Sequence, residues 1–109
     1  MLGEKAWLRV VRDLEQPDVE EGRIFRSQGL RTERGFFAFL GPQGMVLKLP
    51  PGRVEHLVAT GGGEAFRSGT RVMKEWVVVP RARSRTWSAL AGEALTFSRG
   101  GRAGRRSSA

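Results

Sequence analysis

The stretch FFAFLGPQGMVLKL, Phe36 to Leu49, reads as two strands and the turn that joins them. Phe36, Phe37, Ala38, Phe39 and Leu40 are aromatic or apolar, whereas Met45 to Leu49 alternates, with Lys48 between two leucines. Gly41-Pro42-Gln43-Gly44 lies between them and is turn chemistry of hairpin length. Upstream, Arg23 to Arg31 carries Ile24, Phe25 and Leu30, broken by Ser27 and Gly29, and Thr32-Glu33-Arg34-Gly35 separates it from the first strand. The three segments together predict a three-stranded antiparallel meander, with Asp18-Val19-Glu20-Glu21-Gly22 as an acidic connection leading into it.

Helical spacing flanks the meander. Trp7, Val10, Val11 and Leu14 fall at i, i+3, i+4 and i+7, so Glu4 to about Glu15 is an amphipathic helix ended by Pro17. After Pro50-Pro51-Gly52, Val54, Leu57 and Val58 define a helix of about two turns from Arg53 to Ala59. Gly61-Gly62-Gly63 follows that helix instead of preceding one, which suits a helix cap and not a phosphate-binding loop. Trp76-Val77-Val78-Val79 is β-branched and aromatic, a strand with Pro80 at its exit. Ser84 is the expected N-cap of a closing helix of about 14 residues, whose stripe is Trp87, Leu90, Ala91, Ala94 and Leu95. The order α-βββ-α-β-α implies an α+β fold: one antiparallel sheet with helices packed mainly on one face.

A chain of 109 residues suits one small domain with one core. No run of about eighteen apolar residues is present, so no membrane span is expected. The charged start MLGEKAWLRVVRDLE lacks the pattern of a secretory signal, and a cytoplasmic location is the expectation. Without cysteine there is no disulfide and no thiolate zinc site. The net charge of +8 is unevenly placed. Residues 1–79 hold 12 basic and 10 acidic side chains, a net of +2, and residues 80–109 hold seven arginines and one glutamate, a net of +6. A domain over residues 1–98 and a basic Gly/Arg/Ser tail over 99–109 follow, the tail offering no apolar surface to a core.

Groups with catalytic chemistry are sparse. His56 is the only histidine and has no second histidine or cysteine with which to share a metal; an exposed helix position is the expectation. Glu20-Glu21 reads as a solvated pair, and no serine stands in a nucleophile-elbow context. The expectation is a non-enzymatic chain with no catalytic residue, no metal site and no cofactor.

Three phrases carry a family resemblance: IFRSQGLRTERGFFAFL, GMVLKLPPGRVEHLVATGGGEAF and GTRVMKEWVVV. In order and spacing they resemble the N-terminal domain of the TfoX/Sxy family over about residues 22–98; the MmcQ/YjbR family has a similar layout. The family pattern opens its hairpin with Met-Phe-Gly, where this chain has Ile24, Phe25 and Arg26. The resemblance implies an α+β regulatory or interaction domain without known catalysis. Full-length competence regulators of that family carry a second domain, so their process does not transfer automatically to this chain.

Two readings of GTRVMKEW stay open. In the first, Trp76 and Phe66 fill the sheet–helix core with Trp7 and Trp87, and Met73 packs at its margin. In the second, Arg71, Met73, Lys74 and Trp76 form an exposed recognition patch. Two function classes follow. One is a regulatory or protein-interaction module, acting on an unknown protein or as a homodimer. The other is a weak, non-specific nucleic-acid binder that contacts phosphates through Arg81, Arg83, Arg85, Arg102, Arg105 and Arg106, without an aromatic stacking platform in the domain.

Overall fold

The structure is a computed structural model that describes residues 2–100. Helix α1 (Leu2–Asp13) leads into four meandering strands, β1 (Glu20–Ile24), β2 (Ser27–Thr32), β3 (Gly35–Gly41) and β4 (Gly44–Lys48). Helix α2 (Pro51–Thr60), the hairpin β5 (Glu64–Ser68) and β6 (Arg71–Pro80), a 3-10 turn (Arg81–Thr86) and helix α3 (Trp87–Ser98) complete the chain. The sheet is antiparallel, in the order β1-β2-β3-β4-β6-β5. The expected α+β architecture with helices on one face is present, and two strands are added to the expected order. No helix among the described residues is long and apolar enough to cross a membrane.

The main core lies between the sheet and the helices. Trp7, Val10 and Leu14 of α1, Val54 and Leu57 of α2, and Trp87, Leu90, Ala91, Ala94 and Leu95 of α3 bury against Leu30, Phe37, Met45, Leu47, Val77 and Val79. The helical stripes read from the sequence therefore face inward together. Trp87 is fully buried and its indole N–H donates to the Val79 carbonyl at 3.0 Å, which satisfies the one polar atom its ring brings inside. Thr32 is the buried polar side chain; its hydroxyl pairs with that of Ser98 and accepts the Arg34 N–H.

Local chemistry explains the strand ends. Gly44 has φ +153°, and a Cβ there would run into the Val79 carbonyl of the neighbouring strand, so the β3–β4 turn needs glycine. Gly61 caps α2 with φ +81°, the cap role expected for the triple glycine.

Four expectations are corrected. The acidic connection is strand β1, because Phe25 and Arg26 both adopt positive φ (51° and 63°) and fold Arg23 to Arg31 back on itself as a two-residue hairpin turn. The residues around Phe66 form β5, joined to β6 through Gly69 at φ +64°. Ser84 is not a cap: it sits inside the 3-10 turn, and Thr86 precedes α3. The folded unit also reaches past Ser98, since Arg99 donates to Asp18 at 2.8 and 2.7 Å and to Gln16, tying the end of α3 to the loop before β1.

Candidate functional site

A β-bulge sorts the aromatic run of β3 between the two sides of the sheet. Opposite β2 the register steps from Ala38, facing Leu30, to Phe36, facing Arg31, leaving Phe37 as the additional residue. Phe37 and Ala38 both enter the helix-side core. Phe39 points to the other side, and the Phe36 ring lies over Gly22 and Gly29 there.

That other side carries its own apolar cluster, and no helix among the described residues packs on it. Phe39, Val46 and Val78 are buried, with Ile24, Phe66 and Trp76 packed around them. Phe39 is the centre: its ring meets Phe25 at 5.8 Å and Phe66 at 6.0 Å edge-on, and Trp76 at 5.7 Å tilted. Phe39 is only 4% exposed because these rings cover it, whereas Phe25 on the hairpin turn is 74% exposed. A groove of about 340 Å³ continues the surface along Phe39, Pro42, Val46, Phe66, Arg67 and Val78.

Cations stand beside the rings. Lys48 Nζ lies 6.0 Å from the Trp76 ring centre, and the Arg31 guanidinium lies 5.7 Å from that of Phe36. The register puts two acids on this side as well, Glu20 opposite Arg31 and Glu64 opposite Val78.

The first reading of GTRVMKEW is corrected on one point. The stretch is a strand, but Trp76 and Phe66 do not join Trp7 and Trp87; they belong to the cluster on the opposite side of the sheet. Strand alternation explains it: Val77 and Val79 face the helices, so Trp76 and Val78 face away. The expected recognition patch is not assembled either. Arg71 is exposed at the β5–β6 turn, and Met73 and Lys74 line an apolar groove with Val54, Val58 and Val72 beside α2, apart from Trp76. The sequence predicts no aromatic platform in the domain, whereas the structure has a cluster of aromatic rings on this side. Its signal was present in the sequence as Phe39, Phe66 and Trp76, and only the missed β5 and the bulge hid that they share a side.

Of the expected phosphate contacts, Arg81 is committed: its guanidinium donates to the Pro42 carbonyl. Arg83 and Arg85 are exposed and make no ion pair among the described residues. Arg102, Arg105 and Arg106 lie outside the described residues. His56 is exposed on α2, and no group of three or more His, Cys, Asp or Glu side chains that could hold a metal occurs among the described residues.

Two ion pairs brace the helices behind the sheet. Arg53 grips Glu93 with two hydrogen bonds of 2.8 and 3.1 Å, joining α2 to α3, and these bonds hold the Arg53 guanidinium above its ordinary pKa. Arg99 does the same with Asp18, its hydrogen bond chiefly holding that carboxyl below its ordinary value, with its charge adding to this against a desolvation that acts the other way.

Comparison with models of known families, with curated proteins and with solved structures finds no match for this chain.

Proposed function

We propose that this chain is a non-enzymatic interaction domain, of the regulatory type that the TfoX/Sxy resemblance implies, and that it binds a macromolecular partner through the uncovered aromatic side of its sheet. One observation carries the reading: a second apolar cluster, on the side without helices, whose outermost ring, Phe25, is 74% exposed. Isolated apolar side chains on a surface need no explanation, but four aromatic rings in mutual contact on one uncovered side are the composition of a binding surface. The turn beneath Phe25 supports the family reading too. Arg26 holds φ 63°, a conformation that the glycine of the Met-Phe-Gly pattern adopts freely.

A photoreactive phenylalanine analogue at position 25, compared with the same group at the exposed His56 on the helix side, tests this in cells. Discrete crosslinked species from position 25 and none from position 56 are expected. Equal yields from both positions, or none from either, would count against the proposal.

A further inference from the structure

We infer that the partner of the aromatic side is a single-stranded polynucleotide, whose bases stack on Phe25, Phe66 and Trp76 while its phosphates meet the bordering cations. The inference rests on the reading of that side as a binding surface. Four cations border the rings: Lys48 over Trp76, Arg31 over Phe36, Arg67 in the groove with Phe66, and Arg26 next to Phe25 in the turn. With Glu20 and Glu64 on the same side, and Arg34 and Glu75 lining the pocket of Lys48 and Phe36, the balance is five minus three, a net of +2. Aromatic rings with interleaved cations on an open sheet match a ligand that offers π-faces and negative charge together.

The course of the chain strengthens the match. Gly100, the last described residue, shares a pocket with Phe36 and Lys48 at the border of this surface. From that point the sequence adds Arg102, Arg105 and Arg106. Gly100 itself thus lies beside the path that a strand crossing the rings would take. A second copy of the chain fits less well, because apposing two such surfaces sets cations against cations. A duplex fits less well again, since its bases are already stacked on each other. The ring cluster of Phe25, Phe39, Phe66 and Trp76 offers π-faces, with the Trp76 indole N–H and the Gln43 carboxamide of the groove as the few polar groups beside it. Stacking therefore carries most of the binding, sequence preference is weak and DNA is held at least as well as RNA.

The probe is a labelled oligo(dT) of about 12 nucleotides, a length within the range one small domain covers. Anisotropy titrations of the full chain are compared with a duplex of equal length, with oligo(rU), with Phe25→Ala and Lys48→Gln, and with a variant whose Arg102, Arg105 and Arg106 are serine. Trp7 and Trp87 are buried, so quenching of intrinsic fluorescence reports on Trp76. Expected are quenching by oligo(dT), tighter binding of oligo(dT) than of the duplex, and roughly tenfold weaker binding by Phe25→Ala at an unchanged melting temperature. The triple serine variant should bind more weakly with a shallower salt dependence yet keep the quenching. Binding that ignores Phe25→Ala and Lys48→Gln and disappears with the three arginines overturns the inference in favour of the basic segment alone. Absence of binding at low salt, with a concentration-dependent dimer that Phe25→Glu abolishes, gives the surface to a second copy: the occupant is then wrong and the surface is not. Absence of binding with crosslinking of a single protein from position 25 gives it to that protein. Loss of folding in Phe25→Ala would remove the surface reading itself.

Discussion

Phe39 and Phe37 stand two residues apart on one strand and serve different sides of the sheet, and the tryptophans divide in the same way. Trp87 is enclosed by helix and sheet and donates to Val79, so Trp87→Ala should cost about 3–5 kcal/mol, close to the whole stability of a domain of this size. Trp76 is half-buried beside Phe66 and Lys48, so Trp76→Ala should cost only about 1–2 kcal/mol and remain folded. Thermal unfolding of both variants checks the contrast; equal losses would place Trp76 in the core after all. The difference was not legible from the residues themselves. Both are tryptophans among apolar neighbours, and only strand parity, set by the register of β4 against β6, assigns the side.

Among the elements, the β1–β2 hairpin carries the most local strain. Neither Phe25 nor Arg26 is a residue that takes a left-handed conformation freely, and each costs on the order of 1 kcal/mol there. Arg26→Gly should therefore stabilise the domain by about 1 kcal/mol, a rise in melting temperature of roughly 4–8 °C. An unchanged or lower melting temperature would mean that the arginine side chain compensates its backbone. The same turn shows where the sequence was hard to read. A hairpin with Asn-Gly at its tip would have announced itself, but Phe-Arg looks like the middle of a strand, so β1 and β2 merged into one segment. Helices α1, α2 and α3 were legible because each buries one stripe in a single core, and periodicity records that directly. The candidate surface was not, because it is built from turns, a bulge and a short charged strand, none of which leaves a periodic trace.

At the scale of the whole molecule, the contact of Arg99 with Asp18 joins residues 81 positions apart and closes the chain's last described turn onto the loop before β1. Asp18 has a lower pKa folded than unfolded, so protons favour the unfolded chain. Its contribution is fully present above the ordinary carboxylate pKa near 3.9 and is lost as pH falls through the lower folded value. Melting temperatures of the parent chain and Asp18→Asn should differ steadily at about pH 6 and converge as pH falls below about 4, the parent losing more. Raised salt should shrink the difference, as for any exposed pair. Parallel pH profiles would show that the pair adds nothing to folding.

The order of the strands has one more consequence. The two margins of the sheet are β1 and β5, each five residues long and charged, with Glu20, Glu21 and Arg23 on one and Glu64 and Arg67 on the other. Such margins resist the addition of a foreign strand, the step by which sheets grow into fibres. Whatever this molecule gathers, it gathers broadside, and stacking on one side ends once that side is covered. Concentrated solutions should thus yield small closed particles and not filaments, since the direction along which a fibril would lengthen is barred by short edges whose exposed charged side chains would have to be stripped of solvent.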